Sequence, residues 1–196
     1  MKTHVAIVGA GPAGMLLAEL LRQSGVACVV IEKHSRAHVL SRIRAGVLEP
    51  GTVEVLRTHG LAERLDREGH AHDGMKIVWA GREGFFIDVR RHLGKRFVAY
   101  GQTQLQEDLY AAADRHGTVV IHEAEDVELH GIDTPRPQVR WRRGGEPMRL
   151  DCDYIAGCDG FHGASRRAMP RDVLREYEKV YPFGWLGILL PTPPLP

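Results

Sequence analysis

What the chain lacks narrows it first. It has only three cysteines, Cys28, Cys152 and Cys158, odd in number and without CxxC spacing, so buried reduced thiols and a cytoplasmic location are expected. Net charge is nearly absent: 26 basic residues against 25 acidic ones leave a formal +1, which argues against nucleic-acid binding. No stretch approaches the roughly 18 consecutive apolar residues of a membrane span. Glycine interrupts the N-terminal run "MKTHVAIVGAG" before a signal-peptide core develops. Internal repeats and low-complexity tracts are missing as well. What remains is 196 residues, 43% apolar and 26% charged, a soluble globular composition with room for one large α/β domain, or one domain plus part of another.

The local patterns are α/β. "HVAIVG" (4–9) and "ACVVIE" (27–32) are short β-branched apolar runs, read as buried strands. Between them Pro12 suits the first turn of a helix, Leu16, Leu17, Leu20 and Leu21 recur on one face, and Gly25 can close its C-terminus. The result is strand–helix–strand within 32 residues. Further on, 52–60 reads as a short helix, and 75–80, 85–89 and 97–100 read as strands of one meander. Thr103 with Gln106 has the spacing of a capping box, opening a helix that Gly117 ends. Strands then follow at 119–122, 126–129, 138–142, 148–152 and 154–156, with "RRGGE" as a hairpin turn.

Gly9-Ala10-Gly11-Pro12-Ala13-Gly14 is a GxGxxG loop placed between a strand and a helix. Gly9 permits the tight turn, Gly11 lets backbone approach a pyrophosphate, and Gly14 lets the helix pack on the strand. The helix start adds amide donors and positive dipole. Glu32 lies 18 residues after Gly14, at the end of the second strand, where a carboxylate can accept ribose hydroxyls and disfavours a 2′-phosphate. A dinucleotide is expected; the loop alone does not separate NAD from FAD. "YIAGCDGFHGASR" (154–166) repeats the logic of an apolar strand ending in small residues. Asp159 with Gly160 could serve a ribose, and Arg166 could meet a phosphate; equally, Asp159 could simply cap the helix that contains Arg166.

Between the two lies a basic run without an acid, from Lys33 to Leu48, holding His34, Arg36, His38, Arg42 and Arg44. A solvated cationic loop accounts for Lys33 and Arg36, but poorly for Arg42 beside small and apolar residues. Arginine suits a phosphate because its planar fork pairs two oxygens at once, and it can also stack on a ring.

Together these motifs resemble the single-component aromatic hydroxylases, flavoprotein monooxygenases with a GxGxxG loop, a distal acid and an Asp-Gly motif followed by arginine. "SRIRAGVLEPG", "YGQT", "DCDYIAGCDGFHG" and "YPFGWLG" match the members that act on 4-hydroxybenzoate, in order and at similar spacing. Gly163 departs from the wider pattern, where serine is commoner. The resemblance implies a Rossmann-like FAD-binding domain over 1–178, a parallel sheet with an antiparallel β-meander. A β-sheet substrate domain would begin at 179–196, so that the chain looks truncated.

It also implies cofactor contacts at Gly9, Gly11, Pro12, Ala13, Gly14, Glu32, Lys33, Arg42, Ile43, Arg44, Ala45, Gly46, Val47, Gln102, Asp159, Gly160, His162 and Arg166. Of these, Arg42 to Val47 and Gln102 would meet FAD, with Gly46 giving the flavin ring room to move. Lys33, Arg42, Arg44, His162 and Arg166, together with His34, would serve NADPH or NADH; the cations after Glu32 favour NADPH. The implied reaction is hydroxylation of 4-hydroxybenzoate to 3,4-dihydroxybenzoate by O2 and NAD(P)H, in a cytoplasmic homodimer. No catalytic residue and no metal ligand is assigned. Two other classes stay open: a non-catalytic nucleotide-binding fragment, and a flavin or NAD dehydrogenase.

Weaker features carry less. His70 and His72 in "GHAHDG" read as a polar loop, "RRHLGKR" (90–96) as a solvated turn, and Val47 and Trp185 as plain core residues on sequence alone. The last segment, "YPFGWLGILLPTPPLP", starts like a strand and stops in four prolines.

Overall fold

A computed structural model gives the fold and describes residues 1–42, 44, 46–184 and 186. The chain opens with β1 (Val5–Val8), α1 (Pro12–Gln23) and β2 (Cys28–Ile31). α2 (Arg36–Ser41), β3 (Val47–Leu48), α3 (Pro50–Thr58), α4 (Glu63–Glu68) and β4 (His70–His72) follow. Next come β5 (Gly74–Ile77), β6 (Phe85–Asp88), α5 (Val89–Leu93), β7 (Phe97–Ala99) and α6 (Gln102–His116). β8 (Val119–Ile121), β9 (Glu125–His130), β10 (Gln138–Arg143), β11 (Glu146–Asp151), β12 (Tyr154–Gly157) and α7 (Ala164–Ala168) complete it.

The frame is a parallel sheet in the order β12-β1-β2-β8. Every residue of β1 is buried, as expected of a strand covered on both faces. Alternate side chains leave in opposite directions. Val5, Ile7 and Val30 pack with residues of α1, α3 and α6, while Ala6, Val8, Val29 and Ile31 pack with Val139, Trp141 and Leu150 of a three-stranded antiparallel sheet, β11-β10-β9. That sheet is a meander whose hairpin turns on Gly144 and Gly145, both at positive φ, as "RRGGE" requires.

The fully buried stripe of α1 runs through Gly14, Met15, Ala18 and Glu19, and the half-buried Leu16, Leu17 and Leu21 pack against the same core, where α6 also packs. Three expectations need correction. Strands 75–80, 85–89 and 97–100 do not form one meander: β5 pairs with β6, whereas β7 pairs with β3 and β4. The cause is α5. The Asp88 side chain accepts from the Arg91 amide and starts a helix where a turn was expected, ending at Gly94. "GHAHDG" supplies strand β4, paired with β7. Finally, α6 starts at Gln102 with Gly101 as its N-cap, so Thr103 lies inside the helix and there is no capping box.

The cysteines are free, Cys152 buried and Cys28 and Cys158 half-buried, and burial pushes each thiol pKa up. Among the described residues no helix is long and apolar enough to cross a membrane. After Ala168 the described residues form no helix or strand; Trp185 and 187–196 lie outside them.

Candidate functional site

The turn after β1 is built by close approach. Gly9 has φ +103°, a conformation that favours glycine. Its amide donates to the Ile31 carbonyl at 2.7 Å. A Cβ on Gly9 would lie 2.5 Å from the Cys158 carbonyl oxygen, and one on Gly14 would lie 1.9 Å from the Gly9 oxygen. Those two glycines are packing requirements. Gly11 differs: a Cβ there would meet nothing within 4 Å. Its bare backbone borders open space, and among the described residues nothing accepts from the amides of Gly11 and Ala13. With Pro12 at the first helical position and α1 behind it, the turn has the free donors and the space that an anion of the pyrophosphate class requires.

Glu32 anchors the turn from β2. One carboxylate oxygen accepts from the Ala10 amide and the other from the His34 amide, each at 2.9 Å, and the residue is only 8% exposed. Each oxygen keeps a lone pair for a ribose hydroxyl. Lys33 is exposed. The His34 ring stacks on His38 at 4.1 Å, and burial, then the neighbouring His38, lowers its pKa. Arg36 is not the solvated cation expected: it pairs in two places with Asp114, at 3.0 and 2.7 Å, and lies over the Tyr110 ring.

Arg42 and Arg44 are exposed and have no ion-pair partner among the described residues; Ile43 and Ala45 lie outside those residues. Gly46 accepts at its carbonyl from the Tyr100 amide at 2.8 Å, and a Cβ there would fall 2.3 Å from the Tyr100 oxygen. Its missing side chain makes way for the Tyr100–Gly101 backbone. Val47 pairs with Ala99 and is 62% exposed, so it is not a core residue. Pairing of β3 with β7 thus joins the arginine segment to the start of α6, where Gln102 sits half-buried.

α6 also carries residues that the motifs did not reveal. Gln106 is 3% exposed, and its Nε2 donates to the Ala10 carbonyl at 2.9 Å. The signal was available: Gln106 is a polar residue in the stripe of Leu109, Tyr110 and Ala113, at helical spacing. The Tyr100 hydroxyl donates to Asp108, close to Arg64, which also bonds Glu68 and Glu107. Burial first, then Asp108, pushes the Tyr100 phenol pKa well up.

The second motif arrives beside the first. The Cys158 amide donates to the Val8 carbonyl at 2.7 Å, setting the end of β12 against the end of β1. Gly160 has φ +73°. The carboxylate of Asp159 accepts from the Ser165 amide in α7 at 2.9 Å, so the alternative use as a helix anchor is realised, although Gly163 is the N-cap residue itself. His162 is exposed, and its carbonyl accepts from Arg167. Arg166 lies over the Phe161 ring at 4.3 Å and reaches Glu176 at 3.4 Å.

Comparisons with known proteins place the chain in a family. The pattern of the family described as FAD binding domain matches residues 2–196. The p-hydroxybenzoate hydroxylase of Acinetobacter baylyi is 42% identical over the whole of this chain, which covers 48% of that protein. The 3-amino-4-hydroxybenzoate 2-monooxygenase of Streptomyces cremeus is 33% identical over 88% of this chain and 43% of its own length. The crystal structure of p-nitrophenol 4-monooxygenase from Pseudomonas putida superposes with a TM-score of 0.73 at 21% identity, over 84% of this chain and 43% of that one, and so shares the fold. The chain therefore spans about half the length of the relatives it matches.

Proposed function

The chain belongs to the FAD binding domain family, and from that premise we propose that it is the flavin-holding part of an aromatic-ring monooxygenase acting on 4-hydroxybenzoate. The reaction is 4-hydroxybenzoate with O2, NAD(P)H and a proton, giving 3,4-dihydroxybenzoate, water and NAD(P)+. One observation carries the flavin-holding part of the reading: the sheet order places the Gly9–Gly14 turn, Glu32 and the Cys158–Gly160 strand end together, although more than a hundred residues separate the first from the last. The choice of phenol rests on the 42% identity to the p-hydroxybenzoate hydroxylase.

FAD fits the residues present. Open space at Gly11, with free amides at Gly11 and Ala13, suits the pyrophosphate, while Gly9, Pro12 and Gly14 shape the turn. Glu32 would accept from the ribose. Arg42, Ile43, Arg44, Ala45, Gly46, Val47 and Gln102 would follow the cofactor toward its ring, and Asp159 and Gly160 would border it from β12. Lys33, His34, Arg42, Arg44, His162 and Arg166 would serve the nicotinamide donor, and the cations after Glu32 favour NADPH. Bound FAD would supply the redox chemistry, taking electrons from the nicotinamide and passing them to O2.

The chain's own part is electrostatic and positional. The amides and the α1 dipole offset the pyrophosphate charge. The carboxylate of Glu32 selects hydroxyls over a 2′-phosphate, and the exposed guanidinium groups of Arg42 and Arg44 offer planar forks to phosphate oxygens. We take 1–178 as the flavin-holding unit and place the start of the substrate domain after it, in an enzyme that works as a cytoplasmic homodimer.

The test is oxygen uptake coupled to NAD(P)H oxidation by the natural polypeptide that carries this chain. Addition of 4-hydroxybenzoate should accelerate both and yield a dihydroxybenzoate. NADH or NADPH oxidation indifferent to the phenol would leave a dehydrogenase as the better assignment; no flavin binding at all would leave a nucleotide-binding module.

A further inference from the structure

The capping box that Gln106 was expected to close does not form, yet Gln106 is among the most deeply buried polar residues described. Its Nε2 donates to the Ala10 carbonyl at 2.9 Å across 96 residues of sequence, while its Oε1 is buried with no partner among the described residues. Chemistry sets that orientation, since only the amide nitrogen can donate to a carbonyl oxygen.

The peptide it holds is the informative part. No peptide bond among the described residues is cis, so the Ala10 carbonyl and the Gly11 N–H lie in one plane and point opposite ways. Holding that carbonyl from the α6 side turns the Gly11 N–H away from the core, toward the open space beside Gly11. The preceding peptide is held by Glu32 through the Ala10 amide. Two buried side chains from outside the turn, one on β2's end and one on α6, therefore clamp its consecutive peptide planes. Gly11, without a side chain, has no means of holding its own orientation.

We propose that Gln106 is a positioning residue for FAD: it aims the Gly11 amide at the pyrophosphate. This rests on the assignment of Gly9–Gly14 as the pyrophosphate turn. The test uses three probes, FAD, ADP and adenosine, of which the last lacks phosphate. Gln106→Met keeps length and removes the donor. It should weaken FAD and ADP on the order of tenfold, the worth of one good hydrogen bond, leave adenosine affinity unchanged, and move the melting temperature of the ligand-free protein little. Equal losses for all three probes, or none for any, would overturn the proposal. Gly11→Val separates the two levels: should it bind ADP like the wild type, the pyrophosphate assignment itself fails. Were Gln106→Met not to fold, NMR of the wild type decides. The Gln106 side-chain amide protons should move with ADP and stay still with adenosine, and no movement with ADP would refute the role.

Discussion

Two strand ends lie side by side at one end of the parallel sheet, and both run through glycine into a helix. β1 leads through Gly9–Gly14 into α1, which has 12 residues and buries Gly14, Met15, Ala18 and Glu19; β12 leads through Cys158–Gly163 into α7, which has five residues and buries none fully. The first turn is clamped from behind by Glu32 and Gln106. At the second, the acid of the motif turns to its own helix, with Asp159 on the Ser165 amide. Similar local chemistry thus has two outcomes. A turn presents its amides outward when side chains from distant elements hold its polar backbone and a full-length helix stands behind it. Where the helix is short and unburied, the nearby carboxylate is spent holding the helix instead.

The most forceful way to break this contrast is Gly14→Val. The Cβ would meet the Gly9 carbonyl, backbone that no side-chain rotation relieves, so a loss of about 4 kcal/mol or more is expected in urea unfolding, together with flavin binding. A variant as stable as the wild type would show that the turn tolerates a looser α1. Next is the far anchor of α1. Burial alone would raise the pKa of Glu19, but bonds from Arg22, Gln23 and His116 outweigh it and hold the carboxyl at about 2 against an ordinary 4.5. The folded value is depressed, so this stability is fully present above about pH 4.5 and is lost as pH falls toward about 2. Up to about 3 kcal/mol is at stake. Glu19→Gln should flatten the stability-versus-pH curve in that window, and an unaltered acid limb would remove Glu19 as the anchor.

Smaller effects sharpen the second strand end. Asp159→Ala should cost about 1 kcal/mol, as loss of a capping carboxylate does, and should speed hydrogen exchange at the Ser165 amide. Smallest of all is Gly163→Ser. A Cβ there would fall 2.1 Å from Asp159 Cγ, so the carboxylate must swing away, yet serine is itself a good N-cap for α7. Stability should therefore change by only a few tenths of a kcal/mol, while the NMR resonance of the Asp159 carboxyl carbon moves as the carboxylate leaves Ser165. An Asp159 signal identical to that of the wild type would mean that the swing does not occur.

Much of this was legible. The short continuous apolar runs of β1 and β2, Pro12 at the start of α1 and the GxGxxG spacing are local, and a parallel strand–helix–strand unit follows from them. The α/β class and the second glycine motif were equally readable. The fate of Arg36 was not, because its partner Asp114 lies 78 residues away on α6. Nor was the parting of β5–β6 from β7, where one aspartate at position 88 starts a helix inside what looked like a continuous run of strands. Gln106 looked like a cap partner by spacing, but Gly101 already begins the helix, so its amide was free to reach Ala10.

By itself the sequence determined which backbone would be bare and bent: glycine at 9, 11 and 14, an acid at 32, and apolar runs that can only be buried strands. Those are properties of single residues and short periods, and no neighbour can alter them. Only the tertiary structure decided which amides face outward and which carboxylates remain available. Hydrogen-bond partners are chosen by proximity in space, and the sheet order brings Ala10 to Gln106, Gly9 to Cys158 and Asp159 to the amide of Ser165.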